Sequence, residues 1–202
     1  MKKILLIITL FTSIISFGQD KFTTYESSYI DKSYNIDISI KDYPKFTLYI
    51  DAYSLDKLHD KGGFMVTNKR HQAFLDALSQ AKNKYQEWTN VAKENSVTEL
   101  DKPMKIDLRT EAYFMYGNKW QFDYGVFPSF YFKVAEDERG LQYILIVRSG
   151  ELKSSSNEYM SVDGVAFAFS SVEEIDDFIS KISQEKIDEF VNKPKADDLF
   201  KD

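Results

Sequence analysis

The chain has 202 residues and a formal net charge of −6, with 43% hydrophobic and 15% aromatic residues but no cysteine. The lack of cysteine excludes disulfides, thiol nucleophiles and cysteine metal sites, and argues against a lipid anchor. The acidic balance, with lysines scattered singly, argues against nucleic-acid partners and anionic membrane surfaces. This composition indicates a folded domain held together by its core.

The first eighteen residues have the pattern of a signal peptide. Lys2 and Lys3 precede an apolar run over residues 4–15, and Ser16 and Gly18 are the small residues that a signal peptidase reads. The run is shorter than the roughly twenty residues of a membrane-spanning helix. We expect cleavage after Gly18, which removes both lysines and changes the formal charge from −6 to −8.

The segment Ser16-Phe17-Gly18-Gln19 resembles the leader ends of exported proteins of Bacteroidota, as does the richness in Lys, Ile, Asn, Tyr and Phe. This resemblance implies a periplasmic or extracellular protein without a lipid anchor. No integral membrane segment is expected to remain after cleavage. We predict one α+β domain over residues 19–193 and a flexible acidic tail over 194–202, since Pro194 stops the last helix.

Alternating residues predict the first strands, because strand side chains point to opposite faces in turn. Residues 19–28 show no such period and are expected to be loose. An antiparallel hairpin is predicted from the apolar positions Tyr34, Ile36, Ile38, Ile40, Phe46, Leu48 and Ile50. A polar loop over 54–61 and a short strand over 64–66 follow.

An amphipathic helix is predicted from Lys69 to Ala92, where apolar residues recur every three or four positions. Thr67 or Asn68 is its expected N-cap, and Asn95-Ser96 ends it. His71 falls in the first turn and is expected to be exposed.

The second half repeats this plan. Strands are predicted at Ile106 to Leu108, over 120–126 after a turn at 116–119, and over 130–134. A central strand at 141–147 and a last strand at 165–169 lead to a helix that Ser171 and Glu174 cap. The fold class is therefore α+β, with antiparallel sheet and two amphipathic helices packed on it.

The chain can be aligned with itself at a constant offset of 101 residues, which places Gly63 on Gly164. This alignment predicts two similar halves, residues 33–95 and 104–185. The alternative is that any strand-turn-helix unit aligns this way. The element order resembles the duplicated sheet-and-helix architecture of the PUR and Whirly families, without a diagnostic motif. That resemblance implies single-stranded nucleic-acid binding, but export and negative charge oppose it, so no nucleic-acid partner is expected.

No motif supplies familiar catalytic chemistry. The eight glycines never adopt the spacing of a dinucleotide fingerprint, a phosphate loop or a nucleophile elbow. His59 with Asp56 and Asp60 is the nearest approach to a metal site, against the simpler interpretation of a solvated loop. We expect no catalytic residue, metal site or cofactor.

Ten aromatic residues crowd the segment from Tyr113 to Phe132. If one face of these strands fills the core, the other can present rings to a carbohydrate, a peptide or a protein. The candidate ligand-binding residues are Tyr113, Trp120, Tyr124 and Tyr131. The alternative is ordinary cross-strand packing, and burial of the last three without a cleft would exclude a ligand platform.

These observations predict an exported, soluble, non-catalytic binding or interaction domain. One alternative is a hydrolase that acts on an envelope or extracellular polymer through a noncanonical carboxylate site. Two carboxylates that converge in a pocket without a basic neighbour would favour it. A structural or inhibitory envelope protein is the other alternative.

Overall fold

The computed structural model describes residues 19–193, so the predicted leader and acidic tail lie outside the described residues. The described chain is α+β, with antiparallel sheets and packed helices, which confirms the predicted fold class. The elements in chain order are β1 Asp20–Ser27, β2 Lys32–Asp42, β3 Lys45–Asp51, β4 Tyr53–Ser54, β5 Gly62–Thr67, α1 Asn68–Glu94, β6 Leu100–Met104, β7 Thr110–Tyr116, β8 Lys119–Val126, β9 Ser129–Asp137, β10 Gly140–Arg148, β11 Leu152–Ser154, β12 Asn157–Val162, β13 Val165–Phe169, α2 Val172–Lys181 and α3 Gln184–Val191.

The larger sheet has six strands in the order β1-β2-β3-β5-β7-β8. The predicted β2–β3 hairpin is confirmed, with Ile36 opposite Ile50 and both side chains fully buried. The expectation that residues 19–28 are loose is wrong, because β1 pairs with β2 along the edge of this sheet. Its polar sequence did not indicate a strand, since Tyr25 is its one fully buried large side chain and Phe22 is only partly buried against the core.

The smaller sheet has five strands in the order β4-β13-β10-β9-β6. Strand β10 lies between β13 and β9, as its apolar sequence predicts. The strand predicted at Ile106 and Leu108 is wrong, because residues 105–109 form an irregular connection between the two sheets. Both side chains are nevertheless buried, so their hydrophobicity reflects insertion into the core from a loop.

Helix α1 packs against strands of both sheets and covers their inner faces. Its buried stripe includes Phe74, Leu78, Ala81 and Tyr85, as the helical period predicts. The hydroxyl of Tyr85 donates to the carbonyl of Ser170 at 2.7 Å, which joins α1 to the start of α2. The buried stripe of this helix belongs to the core that both sheets share.

Helix α2 begins at the predicted cap. Ser171 Oγ accepts a hydrogen bond from the Glu174 backbone N–H at 3.1 Å. The Glu174 carboxylate does not return to Ser171 but accepts from the backbone N–H groups of Ser170 and Ser28. The cap therefore also fixes the turn that follows β1.

Strands of the two candidate halves share sheets. Strand β4 from the first half extends the smaller sheet, whereas β7 and β8 from the second half complete the larger one. Each sheet consequently depends on residues far apart in the chain. Within residues 19–193, no helix has both the length and the apolar character needed to cross a membrane.

His71 is buried, with 3% of its surface exposed, so the expectation of an exposed residue is wrong. Its Nε2 lies 2.6 Å from the carbonyl oxygen of Ile182 at the end of α2, which requires a proton on that nitrogen. The ring of Phe46 packs edge-on at 5.3 Å. Burial lowers the pKa of His71 below its ordinary value, and the bond to Ile182 offsets part of this effect.

We expect His71 to make the fold less stable in mild acid. The unfolded chain takes up the proton near pH 6.5, and the folded chain takes it up only at lower pH, so stability is lost as pH falls below about 6.5. Urea unfolding between about pH 7 and about pH 5 should therefore show a steeper loss in the wild type than in His71→Gln, whose amide does not titrate. Parallel pH profiles would contradict this role.

Candidate functional site

A concave cleft of about 620 Å³ lies on the outer face of the six-stranded sheet. It is placed there by strand alternation: apolar side chains of β2 and β3 point inward, and the residues between them point outward. Strands β2, β3, β5, β7 and β8 all contribute to it. Its lining includes Lys32, Tyr34, Asn35, Asp37, Tyr49, Asp51, Asp60, Lys61, Tyr113, Trp120 and Phe122.

The floor of the cleft is formed by three residues, Asp51, Gly63 and Tyr113, that lie side by side in a row on neighbouring strands. Asp51 pairs with Gly63, and Gly63 pairs with Tyr113 on the next strand. The Tyr113 side chain crosses β5 above Gly63, and its hydroxyl donates to Asp51 Oδ1 at 2.7 Å. Burial and the Asp51 charge raise the pKa of Tyr113 well above its ordinary value, so the hydroxyl remains a donor.

Glycine is required at the centre of this row. A Cβ on Gly63 would lie 2.1 Å from the Ile50 carbonyl oxygen and 2.7 Å from the Tyr113 hydroxyl. Both distances are far shorter than van der Waals contact. Because Gly63 has no side chain, β3 can approach β5 closely and the Tyr113 ring can lie across β5 at this position.

Aromatic rings continue from the floor to one wall. The ring of Tyr113 contacts Tyr49 edge to face, with centroids 5.7 Å apart, and Trp120 similarly at 5.5 Å. Phe122, on the same strand as Trp120, also lines the cleft. Trp120 is 45% exposed, so its indole is accessible on one side while it packs against the buried tyrosine on the other.

Two carboxylates lie on the neighbouring strands β2 and β3. Asp51 Oδ2 accepts from Asn35 Nδ2 at 3.4 Å, in addition to the Tyr113 bond at Oδ1. Asp37 lies opposite Tyr49 and therefore diagonal to Asp51 on the same face. Burial raises the pKa of Asp37, the Asp51 charge adds to this rise, and Lys21 offsets part of it.

The other end of the cleft carries basic groups. Lys32 and Lys61 line it together with Asp60. The Lys32 ammonium lies 5.3 Å from the ring centre of Tyr34, whose buried hydroxyl has no hydrogen-bond partner in the described chain. The basic residue Lys21 lies opposite Asp37 on β1 and its charge acts to lower the Asp37 pKa, so the carboxylates do not meet the criterion that would favour a hydrolase.

The four predicted ligand residues occupy different places. Tyr113 and Trp120 line the cleft, but Tyr113 is 6% exposed and forms the floor. Tyr124 is 53% exposed and stacks on Phe122 with centroids 6.3 Å apart, outside the lining. Tyr131 lies on the smaller sheet, where its hydroxyl accepts from Arg148 at 2.9 Å.

Sequence reasoning missed the polar half of the cleft, Asn35, Asp37 and Asp51, and the Tyr49 ring. The signal was present, because these are the outward positions of two predicted strands. Their place in one cleft with Trp120 depends on the pairing of β3 with β5 and of β5 with β7. That order cannot be derived from periodicity.

The loop with His59 forms a local structural cluster. His59 Nδ1 lies 3.1 Å from Asp56 Oδ1, and its ring stacks on Tyr116 with centroids 4.5 Å apart. Asp60 lines the cleft instead. Within the range 19–193, no group of three or more His, Asp or Glu side chains is arranged to hold a metal ion.

Comparison with known proteins supplies no relative that could indicate a function. No protein-family model, curated protein or solved structure matches the chain. The geometry of the cleft therefore carries the functional argument.

We expect Gly63→Ala to destabilise the fold by about 1–3 kcal/mol, because the added methyl group must displace the backbone of β3 or the Tyr113 ring. Gly125→Ala is the matched control, since a Cβ there meets no atom closer than 3.9 Å. Urea unfolding of both variants measures the difference. Equal free energies of unfolding would show that the close approach at Gly63 is not required.

Proposed function

We propose that this protein is a non-catalytic binding protein and that its cleft holds a saccharide. The observation that carries the proposal is the exposed indole of Trp120 at the wall of a cleft whose floor is a buried, hydrogen-bonded tyrosine. A ring that is accessible yet packed against a buried residue offers a flat surface without a large loss of side-chain entropy on binding.

The chemistry of the cleft suits a sugar. A sugar ring presents C–H groups on its faces and hydroxyls around its rim. The negative face of an aromatic ring attracts the C–H groups, while Asp37 and Asn35 are placed for hydroxyl contacts. A volume of about 620 Å³ falls within the usual range for ligand sites.

The hydrolase alternative receives less support. Both oxygens of Asp51 already accept hydrogen bonds from Tyr113 and Asn35, and lysines line the same cleft. Asp51 is therefore better suited to fixing the floor than to attacking a substrate. The structural or inhibitory alternative does not account for an open cleft with an accessible indole.

The compartment is part of the proposal. The leader pattern supports export, so the saccharides available would be those of the envelope or of the surrounding medium. The acidic surface, with a formal charge of −8 after cleavage, supports neutral or cationic ligands over anionic ones.

We expect Trp120→Ala to weaken saccharide binding at least tenfold, about 1.4 kcal/mol, because the stacking surface is lost. An array of envelope and extracellular glycans, followed by calorimetry with the best ligand, measures the change. Tyr159→Ala is the matched control, since Tyr159 is an 87% exposed aromatic residue outside the cleft.

Two outcomes would overturn the proposal of simple binding. If the folded wild-type protein bound no glycan, the proposal of saccharide binding would be wrong. Shortening of a bound glycan, seen as new reducing ends and lost in Asp37→Asn, would replace it with the hydrolase.

The leader generates a separate prediction. Expressed in a Gram-negative host, the full chain should yield a released protein whose N-terminus is Gln19, because the peptidase reads Ser16 and Gly18. Intact-mass analysis of the periplasmic and medium fractions measures it. A released chain that retains Lys2 and Lys3 would refute the cleavage.

A further inference from the structure

We propose that the saccharide carries a protonated amine and that Asp37 is the residue that selects it. This inference rests on the proposed function and narrows its ligand to an amino sugar. The amine of one sugar ring would lie between Asp37 and the ring of Tyr49. Another ring of the same oligosaccharide would lie on Trp120, because strands β3, β5 and β7 separate the two residues.

Two carboxylates, Asp37 and Asp51, place negative charge in this part of the cleft. Asp37 and Asp51 lie diagonally on neighbouring strands and face the same side. The ion pairs of residues 19–193 include neither carboxylate. The partners of Asp51 are the neutral groups of Tyr113 and Asn35, so its charge remains to attract a cation.

Within the described chain, the carboxylate of Asp37 has no ion-pair or hydrogen-bonding side-chain partner. It is half-buried and lines the cleft, yet it makes no hydrogen bond to another described side chain. Its cross-strand neighbour Lys21 is exposed and forms no ion pair with it. A partly desolvated carboxylate gains most from a ligand that donates hydrogen bonds and carries positive charge.

Aromatic rings surround the two carboxylates. The rings of Tyr49 and Tyr113 lie beside the carboxylates, and an ammonium over such a ring is attracted by its negative face. Lys32 and Lys61 line the cleft away from Asp37, together with Asp60. Lys32 lies at the start of β2, and the Lys61 carbonyl accepts from the backbone N–H of Met115, which is opposite Trp120. An amine is therefore favoured on the Asp37 side of the cleft.

The probe is the trimer of β-1,4-linked glucosamine, compared with its fully N-acetylated counterpart near pH 6, where a typical primary amine is protonated. The two trimers share a backbone and differ in charge. Calorimetry should show that the amine trimer binds about tenfold more tightly, and that added salt reduces this preference. Asp37→Asn should abolish the preference, whereas Asp101→Asn, an exposed carboxylate on β6, should leave it unchanged.

The outcomes separate the two proposals. Equal affinity for the trimers, or a preference that survives in Asp37→Asn, would refute selection by Asp37 and leave saccharide binding standing. Asp37→Asn also tests whether Lys21 already neutralises Asp37. If it does, the substitution would leave the preference for the amine trimer unchanged. Binding of neither trimer, together with a blank glycan array, would overturn both proposals. Thermal unfolding of the variants confirms that each is folded before binding is compared.

Discussion

The close approach of β3 and β5 at Gly63 is the constraint on which the proposed site depends. A side chain at this position would collide with the Ile50 carbonyl and with the Tyr113 hydroxyl. Without one, the tyrosine ring crosses the strand and donates to Asp51, so three strands are linked on their outer face by a side-chain bond as well as by the backbone ladder. Buried Tyr113 in turn packs against the ring of Trp120.

This arrangement explains how an outer sheet face can be a binding surface and still be rigid. The inner face is committed to α1 and the smaller sheet, and its residues are almost fully buried. The outer face divides into a carboxylate region on β2 and β3 and an aromatic region on β7 and β8, with the glycine strand β5 between them. Sites built on sheet strands hold their side chains with better precision than sites on loops.

Sequence reasoning predicted the elements better than their neighbours. The β2–β3 hairpin, α1 and the Ser171 cap follow from local periodicity and capping chemistry, and all three are present. Strand β1 was not predicted, because a strand at the edge of a sheet can pair with few apolar residues. The strand predicted at Ile106 was wrong, because a loop can also bury an apolar side chain. The sequence predicted Trp120 as a candidate. The carboxylates Asp37 and Asp51 join it in one cleft only through the β3-β5-β7 order, which long-range packing establishes.

The most direct test of the account is a crystal structure of the protein with the glucosamine trimer bound. The account predicts that a sugar ring lies on the Trp120 indole and that an amine nitrogen lies within hydrogen-bond distance of Asp37. A trimer ordered elsewhere, for example against the exposed rings of Tyr159 or Phe127, with the cleft occupied by solvent alone, would contradict it.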